Sequence, residues 1–190
     1  ERIIEADALI KKVMDNSSIA EQYQLIKTNP DCKLRVTHHD TKISNVLFDK
    51  DGKGLCVIDL DTVMPGYFIS DVGDMMRTYL SPVSEEEADF SKIEIRADIF
   101  EAIVRGYYSE MKTDLTASEK ELFFYAGKFM IYMQAIRFLT DYLNDDVYYA
   151  ARYLKHNFIR ASNQLVLLEK LIAKENELVP LINRILSTNE

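Results

Sequence analysis

The 190-residue sequence has no tryptophan, two cysteines, six glycines and four prolines. Average usage is roughly 7% glycine and 5% proline, so collagen-like and Pro/Gly-rich low-complexity chains are excluded. The scarcity of chain breakers leaves room for long uninterrupted elements, and a mostly helical chain is expected. Cys32 and Cys56 match neither a metal-binding nor a redox spacing and read as free thiols of a cytoplasmic protein. No apolar run approaches the roughly 20 residues of a membrane span, and the first residues lack a signal-peptide pattern, so no membrane partner is expected. Basic residues are in the minority: 23 Lys and Arg stand against 31 Asp and Glu, a net charge of −8. Phosphate-backbone binding needs clustered Lys and Arg, so nucleic acid is not expected as a partner either. The chain begins on Glu1, already in a helical pattern, and reads as part of a longer protein.

Apolar residues make up 47% of the chain and charged residues 28%, the composition of a globular domain with a real core. Helical spacing is present over residues 2–14, with a shorter helix over Ser18 to Lys27 stopped by Asn29-Pro30-Asp31. Three short strands follow: Leu34 to Val36, Asn45 to Phe48 and Leu55 to Ile58. The polar segment Asp49 to Gly54 fits a hairpin loop, and Met64-Pro65-Gly66-Tyr67 fits a turn. Beyond it the pattern predicts a helix capped by Ser70 or Asp71 and running through Tyr79, and an amphipathic helix from Ile93 to Met111. A capping box at Thr116-Ala117-Ser118-Glu119 should start a long helix to about Leu143. Further helices are expected from Val147 to about Lys174 and from Leu178 to Leu186. The fold class is therefore α+β, mostly α: a helical bundle with a small β-hairpin insert near its N-terminal end.

The chemistry concentrates in that insert. His38-His39-Asp40 runs on to Asn45 as H-x-D-x-x-x-x-N, and Asp59 ends an apolar strand 14 residues later. Phosphoryl transfer asks for these types together: a positioned acceptor hydroxyl and metal ions across the β- and γ-phosphates. Asp40 would orient the hydroxyl and take its proton. Asn45 and Asp59 would offer oxygen ligands to Mg²⁺, which takes few protein ligands and completes its shell with phosphate and water. The hairpin explains the spacing, because Asn45 begins one strand and Asp59 ends its antiparallel partner.

These residues resemble the catalytic segment of the aminoglycoside phosphotransferase and choline kinase-like superfamily. That family has H-G-D, then Asn five residues after Asp, then an apolar-apolar-Asp-x-acid run matched here by Val57 to Asp61. Asp71-Val72-Gly73-Asp74 resembles the family's D-P-x-x-D stretch. The resemblance covers about residues 33–80. It implies a protein-kinase-like C-terminal lobe over the whole of residues 1–190, with ATP as co-substrate, Mg²⁺ as cofactor and a small-molecule acceptor. It also implies Asp40 as catalytic base, Asn45 and Asp59 as metal ligands, and His38 and Asp71 as supports of the loop. Asp61 is left open between a second metal ligand and a loop-bracing acid. There are departures: His39 stands where the family has glycine, and Lys42-Ile43-Ser44 replaces a frequent His-Pro-Gly. No glycine-rich phosphate loop and no lysine-bearing strand precede the motif, so the ATP-clamping N-terminal lobe is expected as a partner missing from this chain. The chain alone is expected to be inactive.

Two further stretches, Ile58 to Gly66 and Ile136 to Leu143, are similar to the N-acetylhexosamine 1-kinase group. This similarity implies transfer to the anomeric hydroxyl of N-acetylglucosamine or N-acetylgalactosamine. Arg137, Asp141 and Tyr142 are then the candidates for the sugar pocket, the first two sharing a helix face. Choline, homoserine, fructosamine or an aminoglycoside remain alternative acceptors. From other classes, a non-catalytic binding module of the same fold would be expected to lose one of Asp40, Asn45 and Asp59. A hydrolase pairing Asp40 with Asp59 finds no substrate groove in the sequence.

Overall fold

The computed structural model describes residues 1–188. Helices α1 (Arg2–Glu5), α2 (Asp7–Asp15) and α3 (Ser18–Thr28) lead into β1 (Arg35–Thr37), β2 (Val46–Phe48), β3 (Gly54–Val57) and β4 (Met64–Gly66). The remainder is α4 (Ile69–Tyr79), α5 (Ala97–Met111), α6 (Ala117–Lys120), α7 (Phe123–Leu143), α8 (His156–Ala173) and α9 (Glu175–Ser187). Most of the chain is helix, and the strands form two separate two-stranded antiparallel ladders, β1 with β4 and β2 with β3.

The core follows from α7, which is apolar nearly all round and therefore central. Phe123, Ala126, Ile131, Ala135 and Phe138 of α7 are fully buried, between α4 on one side and α8 on the other. Contact between α4 and α7 is close enough to exclude a side chain: a Cβ on Gly73 would lie 2.2 Å from the Ala126 carbonyl oxygen. Ile19 and Ile26 of α3 and Leu178, Ile182 and Ile185 of α9 complete the same cluster. A second cluster joins Ala6 and Leu9 to Phe138, Leu139, Tyr142, Ala161 and Leu165.

Several boundaries differ from the sequence reading, each for a local reason. Residues 64–66, read as a turn, form β4 opposite β1, with Pro65 facing Val36; an edge strand of three residues tolerates the missing donor. Helix α4 starts at Ile69 without a side-chain cap, so neither Ser70 nor Asp71 caps it. Helix α5 begins at Ala97, not Ile93. The stretch before it is extended, burying Ile93 and Ile95, while Arg96 donates to the carbonyls of Tyr79 and Leu80 at the end of α4.

The capping box at Thr116 and Glu119 is formed, but the helix it starts is one turn long. The buried Glu119 carboxylate is shared outside its own helix, with the Lys33 amide (2.8 Å) and the Arg35 guanidinium. Burial pushes this carboxyl up; Arg35 and the amides of Lys33 and Thr116 outweigh that and hold it below the ordinary glutamate range. The largest correction concerns residues 147–155, expected as helix and found irregular, with Ala150 and Lys155, like Asp145 and Asp146 just before them, at positive φ. Asp141 takes the amides of Tyr148 (2.7 Å) and Tyr149 (2.9 Å), and Asn157 bonds Asp141, Asp146 and the Ala150 carbonyl. Side chains that satisfy backbone groups in this way compete directly with helix formation.

Gly73 yields a stability prediction. Gly73→Ala drives a methyl into a backbone carbonyl that cannot swing aside, at a cost of about 1–3 kcal/mol or more. A urea titration should show a lowered midpoint; an unchanged midpoint would mean that α4 and α7 are not in this close contact.

Candidate functional site

Asp40 lies on the loop between β1 and the 3-10 turn Ile43–Asn45, with few ladder bonds to hold it. Its backbone is instead held by side chains. The Asp71 carboxylate, in the first turn of α4, accepts from the amides of His38 (3.0 and 3.1 Å) and His39 (2.8 Å). Thr41 Oγ1 donates to the Asp71 carbonyl (2.8 Å), Thr62 Oγ1 to the His38 carbonyl (2.5 Å), and the Tyr79 hydroxyl to the Thr41 carbonyl. Burial pushes the Tyr79 phenol up to about 12, so it remains a donor at any ordinary pH. His38 Nε2 is 3.0 Å from the Ile58 carbonyl, and His38 Nδ1 accepts from the Asp40 amide.

His39 has φ +67, a left-handed conformation that costs most side chains about 1–2 kcal/mol. Its ring is bonded at both nitrogens, Nε2 to Thr37 Oγ1 (2.6 Å) and Nδ1 to Ser70 Oγ (2.7 Å). Thr37 Oγ1 already donates to the Met64 carbonyl, which assigns the proton of a neutral ring to Nε2. A Cβ on Gly66 would sit 2.5 Å from this ring, so a glycine in β4 makes room for the histidine that departs from the family's glycine.

Asp40 is partly buried. Its Oδ2 accepts from Lys42 Nζ (2.7 Å) and Asn45 Nδ2 (2.8 Å), and the same Nδ2 bonds the Asp40 carbonyl. Burial pushes the Asp40 carboxyl up, but the bonds from Lys42 and Asn45 and the charges of Lys42 and Arg77 prevail, and its pKa falls below the ordinary 3.8. Asn45 spends its amide nitrogen on Asp40, and no donor reaches its Oδ1 among the described residues. The Asn45 carbonyl takes the Ile58 amide at 2.8 Å, which continues the β2–β3 ladder beyond Val46 and Val57 and carries the next residue, Asp59, to the same end of the hairpin. Asp59 is exposed, at φ +61, and its carboxylate has no hydrogen bond or ion pair among the described residues.

A family model of phosphotransferase enzymes matches residues 8–106, just over half of the chain, from α2 through most of α5. The chain belongs to the phosphotransferase enzyme family. In a phosphotransferase the donor set at Asn45 and Asp59 fits a hard divalent cation: one amide oxygen and one carboxylate, both unengaged. No group of three or more His, Cys, Asp or Glu suited to a metal occurs among the described residues. Asp61 is exposed in the 3-10 turn Leu60–Thr62; the contact to the loop there is made by its neighbour Thr62.

Of the three residues expected to bind sugar, Arg137 and Asp141 line one cleft and Tyr142 lies apart from them. Arg137 lines an open cleft of about 450 Å³ with Ile136, Thr140, Asn144, Tyr148 and Tyr149, its guanidinium 5.4 Å from the Tyr149 ring. Asp141 backs that cleft but is buried, its carboxylate committed to Tyr148, Tyr149 and Asn157. Tyr142 points elsewhere: it is buried against Phe158, bonded to Glu5 and covered by Arg2. One position along a helix turns the side chain by about 100°, which separates Tyr142 from the face of Arg137.

The sequence reading gave no role in the site to Lys42, Thr41, Thr62, Ser70 or Tyr79. Lys42 and Thr41 had a signal, their adjacency to Asp40; Thr62, Ser70 and Tyr79 meet the loop only through the fold. The Asp40 environment is testable by a carboxyl-carbon NMR titration. Asp40 should titrate below 3.8, and Lys42→Met should move it upward, since the retained cation favours the charged form. The associated stability is fully present above the unfolded value and is lost as pH falls through the lowered one. An Asp40 that titrates at or above the ordinary value would contradict this arrangement.

Proposed function

We propose that this phosphotransferase moves the γ-phosphoryl group of ATP to a hydroxyl of a small acceptor, with Asp40 as the base. The observation that carries the reading is the Asp40–Asn45 contact. The same amide that holds the Asp40 carboxylate through its nitrogen leaves its oxygen free, and that oxygen would serve a cation. Phosphoryl transfer needs little covalent help; positioning and charge compensation do the work. Asn45 and Asp59 would hold Mg²⁺, which supplies charge neutralisation at the β- and γ-phosphates. Asp40, ionised at neutral pH, accepts a hydrogen bond from the acceptor hydroxyl, orients it and takes its proton. Lys42 keeps that carboxylate charged. His38 and Asp71 hold the loop, and Asp61, exposed beside Asp59, can add a second acidic oxygen towards solvent.

A nucleotide-clamping lobe completes the active enzyme. Leu47, Phe48, Leu55, Val57 and Leu60 around the hairpin are each about half exposed or more, an apolar rim beside the metal ligands that suits coverage by such a lobe and by the nucleotide base. For the acceptor we favour an N-acetylhexosamine phosphorylated at its anomeric hydroxyl, on the resemblance of Ile58 to Gly66 and Ile136 to Leu143 to enzymes of that kind.

In the complete enzyme, Asp40→Asn should lower kcat by about 10²–10⁴-fold and leave ATP affinity within a few-fold, because the lost interaction belongs to the transition state. Phosphorus NMR of ATP, Mg²⁺ and the sugar reads the product directly. An Asp40→Asn enzyme with unchanged turnover would remove Asp40 from the chemistry.

A further inference from the structure

A string of paired side chains runs from the Asp40 loop to the Arg137 cleft. At the loop end, Thr41 Oγ1 donates to the Asp71 carbonyl and also lies 3.5 Å from Asp74 Oδ2. Asp74 Oδ1 takes Arg77 Nε (2.8 Å), and Arg77 Nη1 donates to Glu85 Oε2 (2.6 Å). The other oxygen of Glu85 takes Nε (3.1 Å) and Nη2 of Arg160. The Arg160 guanidinium lies 3.7 Å from the centre of the Phe138 ring and 5.3 Å from that of Tyr149, a wall of the cleft. Its Nη1 donates to Asn157 (3.1 Å), which bonds Asp141, the carboxylate that holds the Tyr148 and Tyr149 amides.

Glu85 is the junction. Helices α4 and α8 pack on α7 from its two sides, and Glu85, on the connection from α4 to α5, bridges Arg77 of the first to Arg160 of the second. Side-chain exposure is 10% for Arg77, 14% for Arg160 and 26% for Glu85, so these pairs are screened much less than surface pairs. The junction needs a carboxylate, because each oxygen serves a different guanidinium. A glutamine there has one acceptor and one donor, and two guanidinium groups only donate. The string also passes close to the base. A cavity of about 240 Å³ between α4 and α8 is lined by Arg77, Glu85 and Asn163 together with Lys42, whose Nζ is 2.7 Å from Asp40.

We propose that Glu85 is a positioning residue, which couples the wall of the Arg137 cleft to the Asp40 loop and so fixes a compound held in the cleft relative to the base. The proposal rests on the phosphoryl-transfer reading with the acceptor in that cleft. Glu85 touches no reacting atom; it acts through Arg160 on one side and Arg77 on the other. Coupling of this kind is reciprocal: a compound against Tyr149 is felt at Arg77 through Arg160 and Glu85.

The test uses the complete enzyme, with N-acetylglucosamine as the probe, and compares wild type, Glu85→Gln, Arg160→Met and the double variant. Glu85→Gln should lower kcat for sugar phosphorylation by about 10- to 100-fold, the order expected when a reactant is misplaced by about 1 Å. ATP KM and the slow hydrolysis of ATP without sugar should be unchanged, since water needs no cleft. Arg160→Met, which keeps an apolar stem over Phe138, should give the same loss, and the double variant no further loss, as for residues that act as one unit. In wild type, the sugar should shift the Nε–H NMR signals of both Arg160 and Arg77; in Glu85→Gln it should shift that of Arg160 alone. Unchanged kcat in the folded single variants, additive losses in the double variant, or an equal fall in sugar transfer and sugar-free hydrolysis would each overturn the proposal. Should Glu85→Gln fail to fold, the wild-type signals decide: an Arg77 that ignores the sugar overturns it. If the sugar shifts both arginines in wild type but is never phosphorylated, the coupling stands and the reaction assigned to the site is wrong. Phosphorylation without any response at Arg77 would do the reverse.

Discussion

One carboxylate organises the site. Asp71 accepts the amides of His38 and His39, and it does so from a helix that is itself fixed in the core. A loop that carries a base cannot draw rigidity from a sheet when the strands on either side are three residues long. Its backbone donors need partners, and a buried or half-buried amide without one is expensive. Asp71 meets two of them from α4. The remaining ties come from the same helix and from the β3–β4 connection, through Thr41, Tyr79 and Thr62. The position of Asp40 is thereby inherited from the packing of α4 on α7, where Gly73 allows backbone to meet backbone.

The side of the site proposed to hold the metal is organised differently. Asn45 is buried and doubly committed to Asp40, whereas Asp59 is exposed, unpaired and in a left-handed conformation. One proposed ligand is built rigidly into the loop; the other stands at the hairpin end with its charge unspent. That contrast suits a cation that arrives with a nucleotide: a rigid neutral ligand costs little to desolvate, and an anion at the surface keeps its hydration until the cation comes. His39 adds a local solution of its own. Its ring ties β1 to α4 in spite of a left-handed backbone, and Gly66 leaves room for that ring.

The segment proposed as catalytic was legible in the sequence because its contacts are local. Asp40 and Asn45 are five residues apart, and the hairpin that brings Asp59 to them announces itself in Asp49 to Gly54. The helices were legible wherever apolar periodicity ran unbroken, as in α7. Legibility failed where a side chain outcompeted the helix for backbone groups. Nothing in Val147 to Lys155 warns that Asp141 and Asn157 will capture that segment. Nor does the capping box at Thr116 reveal that Glu119 is also claimed by Arg35, some 84 residues away. The trio Arg137, Asp141 and Tyr142 is divided by the fold for a related reason. Spacing put Arg137 and Asp141 on one face correctly, but an acid on a pocket face can already be committed to its own loop. The cavity beside Lys42 joins α4 to α8, and residues so distant in sequence give no shared pattern.

The dependence of the catalytic loop on Asp71 can be measured by amide hydrogen exchange in Asp71→Asn. The amides of His38 and His39 should lose protection selectively, with those of α4 and α7 unchanged. If their protection is unaltered in the variant, the loop is held by something else, and the account of how Asp40 is positioned is wrong.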